Sequence, residues 1–299
     1  MKPRHTTFTS FDATSIAYRI WGKPTSMTPV VCCSGIACDD THWTHLAPHL
    51  AQKRQVVTWD YPHHGQSSAA GDPAEITIPS LAQHAVALMD HIAISESVLI
   101  GHSMGVQVAF EAVRLSPDRV SALVAIAGPY GRTVGSLYGT TAGGYLLSLL
   151  ESAARASPDK FASFWRFITD ARIADPVGRL GGLIGHAPAA EMSLYFDHLR
   201  ALDPARLLEM FRAGQEHSAE DLLDSIRIPV LIIHGTADVM TPVGLAEEMV
   251  RRIPGAKLIK VKGGAHTLPI EDPTMINAEV TRFLNDEVDV EPAKAGVGD

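Results

Sequence analysis

The segment Val98-Leu-Ile-Gly101-His102-Ser103-Met104-Gly105 decides the fold. An apolar run ends in Gly-x-Ser-x-Gly, and Val106-Gln-Val-Ala-Phe110-Glu-Ala-Val-Arg-Leu115 follows with helical spacing. A serine at so sharp a strand-to-helix turn takes a strained backbone conformation that the surrounding fold must enforce. Gly101 and Gly105 lack Cβ atoms, so strand and helix can approach closely around it. The helix start leaves unpaired N–H groups just behind the hydroxyl. Alone, the five-residue pattern is weak, and a structural glycine turn is the bland reading. The strand and helix on either side argue instead for an exposed, reactive serine.

Two further stretches complete a constellation. Ile228-Pro-Val-Leu-Ile-Ile-His234-Gly235 reads as a buried parallel strand followed by Thr236-Ala237-Asp238. Lys257-Leu-Ile-Lys-Val-Lys262 reads as another strand, followed by Gly263-Gly264-Ala265-His266. Ser103, Asp238 and His266 thus each stand just past a strand, and in a parallel sheet all three face one edge, where open α/β sheets place their sites. Ser…Asp…His is also the chain order of the α/β-hydrolases, and this chain resembles that family over nearly its whole length.

The resemblance implies more. Val30-Val-Cys-Cys-Ser34-Gly35-Ile36 is similar to the family's strand and oxyanion loop, with serine where histidine is usual. It implies an oxyanion hole from the backbone N–H groups of Ile36 and Met104. Trp59-Asp60-Tyr61-Pro62-His63-His64-Gly65-Gln66-Ser67 resembles the family's Asp-x-x-Gly-x-Gly-x-Ser loop, with His63 where glycine is common. The likeness is to the serine-nucleophile esterase, lactonase and C–C hydrolase branch with a helical cap. Gly35, His102, Tyr130, Trp165 and Met240 are candidate pocket residues. The bland reading of Asp238 is a cap for a helix after Thr241-Pro242, and Asp60 is the competing acid. No metal or organic cofactor is expected. His42, His45 and His49 share a face if their segment is one helix, but they lack the His-Glu-x-x-His spacing of a zinc protease, and a packing or solvated face is expected.

With 299 residues, 46% of them hydrophobic, the chain can build a sizeable core. A formal charge of −8 argues against nucleic acid or an anionic membrane as main partner. No run approaches the roughly 18 apolar residues of a membrane span, and Met1–Ser10 lacks a signal-peptide apolar core, so a cytoplasmic location is the default expectation. The three cysteines, Cys32, Cys33 and Cys38, are too clustered for a disulfide framework. Cys32 and Cys33 fit a strand core; Cys38 either lines the pocket or is inert.

Residues 6–22 read as an antiparallel strand pair, and 29–34, 55–60, 97–102, 121–127, 229–234 and 257–262 as further strands. Helical patterns at 79–93 and 104–116 alternate with them. The expected fold is α/β, a mostly parallel central sheet of about eight strands flanked by helices. The strand rhythm stops at Pro129-Tyr130-Gly131. Helices are expected near 136–156, 158–173, 175–185, 189–201 and 204–216, and a closing helix at 274–287. The division read from this is a core of 1–130 and 218–290, a helical cap of 131–217, and a flexible tail of 291–299. Most cap aromatics, among them Tyr138, Tyr145, Phe161, Phe164, Trp165, Phe167, Tyr195 and Phe196, are expected in the cap's own core, with some facing the cleft.

The leading functional expectation is a serine hydrolase acting on small to medium, largely apolar carboxylic esters through an acyl-enzyme. No arginine lies within a few residues of Ser103 or His266 in the sequence, which favours neutral substrates, although Arg132, Arg166 or Arg172 could reach in from the cap. A lactonase, including one for acyl-lactones, is the nearest rival, and a C–C bond hydrolase uses a similar triad. A ligand-binding receptor on the same fold is the alternative from another class. The partner expected is a small-molecule ester or lactone; oligomeric state is not legible.

Overall fold

The structure, a computed structural model, describes residues 2–68, 76–131 and 141–289. Arg132, Tyr138 and the tail at 291–299 lie outside the described residues. Eight strands form one sheet: β1 (Arg4–Thr9), β2 (Ser15–Trp21), β3 (Val30–Cys33), β4 (Val56–Trp59), β5 (Ser97–His102), β6 (Val120–Ile126), β7 (Val230–Gly235) and β8 (Lys257–Val261). Their spatial order is β1-β2-β4-β3-β5-β6-β7-β8. β2 runs antiparallel to both its neighbours, and every pairing from β4 to β8 is parallel. The order reverses at β3, which sits between β4 and β5, so the crevice past the carboxyl ends of β3 and β5 is a topological switch point.

Side-chain alternation along the central strands builds two cores. Val31, Cys33, Leu99, Leu123, Ala125 and Ile232 face one side, packed with α2 (Ile78–His91), α3 (Met104–Leu115) and α9 (Val243–Arg252). Val30, Cys32, Val98, Ile100, Val124 and Ile233 face the other, packed with α1 (Leu46–Leu50) and α11 (Pro273–Glu287). This two-sided burial is why the central strands read as continuous apolar runs.

Between β6 and β7 stand α4 (Thr141–Ala156), α5 (Pro158–Ile168), α6 (Ala171–Leu180), α7 (Ala189–Ala201) and α8 (Pro204–Glu216); α10 (Leu268–Glu271) precedes α11. α5 is shorter than the expected 158–173. The Thr169 hydroxyl donates back to the Trp165 carbonyl at 2.7 Å, and the Asp170 carboxylate caps a new helix at Arg172 N. The block packs onto the sheet's site edge at two places. Leu202, Leu207 and Phe211 cover Ile36 and Ala37, while Ile184, Met192 and Phe196 cover Ile270 in α10. Phe161 and Phe196 are buried, but Tyr145, Phe164 and Phe167 are exposed, contrary to the expectation of a shared helical core.

Close backbone approach is concentrated around Ser103. A Cβ on Gly105 would lie 1.9 Å from the Cys33 carbonyl oxygen, and one on Gly101 would lie 2.5 Å from the Gly105 carbonyl oxygen. Gly105→Ala should therefore lower the unfolding free energy by about 2–5 kcal/mol in a urea melt, comparable with severe overpacking or core disruption. Gly244→Ala, in α9 where a Cβ meets nothing within 4 Å, should be neutral or stabilising by up to about 1 kcal/mol. Equal effects of the two changes would contradict this packing.

Candidate functional site

Ser103 joins β5 to α3 with φ 55° and ψ −126°, a conformation that a side-chain-bearing residue adopts only when its surroundings hold it. The surroundings here are backbone. The Ser103 N–H donates to the Ile126 carbonyl at 3.0 Å, and the Val106 N–H returns to the Ser103 carbonyl at 3.0 Å. A Cβ on Gly128 would strike the Ser103 carbonyl at 2.3 Å.

The structure brings the three residues singled out by sequence within hydrogen-bond reach. Ser103 Oγ lies 2.8 Å from His266 Nε2, and His266 Nδ1 lies 2.9 Å from Asp238 Oδ2. Asp238 follows β7. Its Oδ1 accepts the N–H groups of Met240 and Thr241, each at 2.9 Å, and the Thr241 hydroxyl lies 2.8 Å from Oδ2. Burial pushes this carboxyl's pKa up, but His266 and the surrounding donors outweigh it and hold the group down at about 2. The helix-cap reading is not met: α9 begins at Val243 behind Pro242 and has no side-chain cap, and the N–H groups that Asp238 gathers belong to the turn before it. Asp60 is occupied elsewhere: buried, it pairs with Arg19 and accepts the Gln66 N–H at 2.8 Å.

His266 sits in the loop after β8, and Glu271 clamps that loop on both sides. Its carboxylate accepts the N–H of Ala265 at 3.0 Å and of Thr267 at 3.0 Å, and the Thr267 hydroxyl at 2.6 Å. The same carboxylate accepts the Gly185 N–H from the helical block at 3.3 Å. Sequence reading missed Glu271, because a glutamate five positions after a histidine carries no local signal. His102 is buried, with Nε2–H donating to the His266 carbonyl at 2.9 Å. Burial, with His266 close by, lowers its pKa to about 3 and keeps the ring neutral.

A cavity of about 50 Å³ is lined by Ser103 and His266 together with Ile36, Met104, Gln107, Pro129, Phe211, Gly214, Gln215, Met240 and Thr241. Apart from His266, none of these carries an ionisable side chain. Met240 lines it as expected, and Ile36 and Met104 border it alongside Ser103. Met104 opens α3, so its N–H is one the helix leaves without an intrahelical acceptor. Gly35 lies beneath Ser103 rather than in the cavity: a Cβ there would be 2.9 Å from Ser103 Cβ. His102, also expected in the pocket, does not line the cavity and packs behind the serine.

Two expected pocket residues point elsewhere. Tyr130 joins the first core, and its backbone carbonyl accepts the Ala219 N–H at 2.9 Å. The Trp165 indole donates to the Leu199 carbonyl at 3.1 Å and packs against Ala37 and Leu202. Neither borders the cavity. The lining residues missed were Gln107, Pro129, Phe211, Gly214, Gln215 and Thr241. Gln107 links α3 to α8, donating to the Gly214 carbonyl at 2.8 Å.

His42, His45 and His49 do not share a face. A 3-10 turn at Asp40–Trp43 ends before α1 begins, so the three diverge. His42 is buried beside Cys38, His45 pairs with Glu191 at 2.9 Å, and His49 with Thr281 at 3.0 Å. His63 takes φ 63°, the left-handed conformation for which glycine is usual at that position. His64 is buried against the Pro62 carbonyl, and neither lines the cavity. Serine replaces the usual histidine at 34 without loss of order: its hydroxyl accepts from the Trp43 indole at 2.9 Å, and its carbonyl from the Tyr61 hydroxyl at 2.8 Å.

Comparison with known proteins bears on the family and the fold. A protein 28% identical over 262 residues is the dihydrolipoyllysine-residue acetyltransferase component of the acetoin cleaving system of Pseudomonas putida. The match covers 86% of this chain but 63% of that longer protein. A putative carbamate hydrolase, RutD, of Pseudomonas savastanoi pv. phaseolicola is 24% identical over 266 residues, covering 86% of this chain and 93% of its own. Among solved structures, the enol-lactonase of Burkholderia xenovorans LB400 superposes with a TM-score of 0.77 at 20% identity, covering 94% of this chain and all of that one (100%). That likeness speaks to fold. No helix among the described residues is long and apolar enough to cross a membrane. A family model for the alpha/beta hydrolase fold matches residues 28–273, and the chain belongs to that family.

Proposed function

We propose that the protein is a serine hydrolase that cleaves carboxylic esters with small, uncharged acyl groups through an acyl-enzyme, with Ser103 as nucleophile, His266 as general base and acid, and Asp238 as its partner. The observation that carries this reading is the continuous chain of contacts from Ser103 Oγ through His266 to Asp238, at 2.8 and 2.9 Å, opening on an uncharged cavity.

In this mechanism the Ser103 hydroxyl donates its proton to His266 Nε2 as the oxygen attacks the carbonyl carbon. Asp238 accepts the Nδ1–H, fixing the tautomer and stabilising the positive ring. Charge then develops on the carbonyl oxygen, where the N–H groups of Ile36 and Met104 form the oxyanion hole. One such donor is worth about 3 kcal/mol of barrier. His266 protonates the leaving alcohol, then activates a water to release the acid. The block at 131–217 acts as a cap: Phe211, Gly214 and Gln215 of α8 supply the cavity's outer wall. Beyond Asp238 and His266, Glu271 and His102 position the histidine loop.

The size and lining of the cavity support short acyl groups. Across p-nitrophenyl esters, kcat/KM should peak at acetate or propionate and fall beyond butyrate, with small lactones tested alongside. A maximum at octanoate or longer would contradict the assignment of this cavity to the acyl group. A fluorophosphonate probe should label Ser103 alone, and Ser103→Ala should cost about four to six orders of magnitude in kcat. Asp238→Asn should cost about 10⁴-fold in kcat with little change in KM. Near-wild-type rates in either variant would remove the proposed triad.

Asp238 also predicts a pH signature. Its folded-state pKa lies below the ordinary 3.8, at about 2, so the stability it contributes is present above the ordinary value and is lost as pH falls through the lower one. The difference in unfolding free energy between wild type and Asp238→Asn should change as pH falls from about 4 toward 2, with wild type losing the advantage. A difference that stays constant over that interval would contradict the depressed pKa.

A further inference from the structure

Cys38, His42 and His102 meet at the base of the site, outside the cavity that Ser103 lines. One donor atom from each lies within 4.8 Å of the others, and all three residues are buried. Cys38 Sγ is 3.6 Å from His42 Nε2. Two ligands on one tetrahedral zinc, with Zn–S near 2.3 Å and Zn–N near 2.0–2.1 Å, stand about 3.5 Å apart. The His42 ring stacks on His102 with centroids 4.9 Å apart.

The Cys38 thiol has the Ile36 carbonyl at 3.4 Å as a second acceptor, and a thiol–imidazole hydrogen bond would satisfy His42 Nε2, leaving His42 Nδ1 buried without a partner; neither contact accounts for His102. That ring commits its Nε2–H to the His266 carbonyl at 2.9 Å, so its Nδ1 carries a lone pair. This Nδ1 is buried with no hydrogen-bond partner, in a residue only 1% exposed. Buried polar atoms are almost always satisfied, so such an orphan calls for an explanation. Gly35 keeps space open beside it: a Cβ there would be 3.2 Å from Cys38 Sγ and 3.3 Å from His102 Nδ1.

We propose that Cys38 Sγ, His42 Nε2 and His102 Nδ1 form a binding site for one thiophilic transition-metal ion of the zinc class, with a fourth coordination position open. Thiolate and imidazole donors favour such ions over magnesium or calcium. Burial already holds both imidazoles neutral, the form that binds metal. Burial and nearby Asp39 push the Cys38 thiol up, an effect a bound cation reverses. Coordination breaks the S–H bond, forms the S–metal bond and releases the proton to solvent. The three donors must draw together until each pair stands about 3.3–3.5 Å apart.

The ligands come from separate pieces of chain. Cys38 ends the loop that carries Ile36, His42 lies in the turn at Asp40–Trp43, and His102 immediately precedes Ser103 while holding the His266 carbonyl. An ion here would cross-link that loop to the serine turn, so its occupancy would regulate the rigidity of the site without entering the cavity.

The test is zinc binding by the full-length, tag-free protein, read by competition with a chromophoric chelator and by thermal melting. One zinc per chain should bind, raise Tm and be removed by EDTA; cobalt in its place should give a thiolate-to-metal charge-transfer band. Cys38→Ser and His42→Gln should each weaken zinc binding at least tenfold and abolish the Tm rise, and Cys38→Ser should also lose the cobalt band. If Cys38→Ser fails to fold, the loss in His42→Gln carries the test. Failure of the wild-type protein to bind stoichiometric zinc would overturn the proposal, as would binding that survives both substitutions. None of these readouts depends on ester hydrolysis.

Discussion

The constraint on which the rest of this molecule depends is the backbone conformation of Ser103. At φ 55° and ψ −126° it costs of order 1–3 kcal/mol. That cost is met by packing that admits no relaxation. Gly105 presses against the Cys33 carbonyl, Gly101 against Gly105, and Gly128 against the Ser103 carbonyl itself. β3, β5 and β6 are therefore locked around one residue, and the apolar cores on both faces of the sheet keep those strands from separating. The same geometry turns the hydroxyl out of the sheet edge and sets the first N–H of α3 beside it.

A second requirement is electrostatic. A buried carboxylate is costly unless its oxygens are filled with donors. Asp238 has two backbone N–H groups, an imidazole and a nearby hydroxyl. Glu271 plays the corresponding part for the histidine loop, gathering the N–H groups on either side of His266 and one from the helical block. The block therefore does more than cover the sheet edge, because its backbone shares a carboxylate with the loop that carries the imidazole. In the proposed mechanism these two acids do different work, Asp238 acting on the ring and Glu271 on the backbone that presents it.

Much of this was legible in the sequence because strand cores buried on both faces read as plain apolar runs. Val98–Ile100 and Val230–Ile233 needed no tertiary information to be read as strands. Ser103 and Asp238 were legible because each follows such a run, and His266 because it follows the strand Lys257–Val261, an edge strand that mixes lysines with apolar residues. The pocket was harder. Phe211, Gly214 and Gln215 sit on α8, and which face of that helix meets the sheet is decided by how it packs on Ile36 and Ala37, not by its own spacing. Trp165 drew attention as a large aromatic, yet its indole is spent on the Leu199 carbonyl. Tyr130 follows β6 as the site residues follow their strands, but turns into the first core. His42 was misplaced for a local reason: the segment at 40–50 is a turn and then a short helix, so spacing rules for one continuous helix did not apply.

The account stands or falls on a covalent bond to Ser103. The direct measurement is acid quenching during turnover of p-nitrophenyl acetate, followed by peptide mass spectrometry. The account predicts one acetyl group per chain, on the peptide containing Ser103, formed with a burst of p-nitrophenol and absent in Ser103→Ala. Turnover without any acylated peptide, or acylation at another residue, would contradict it.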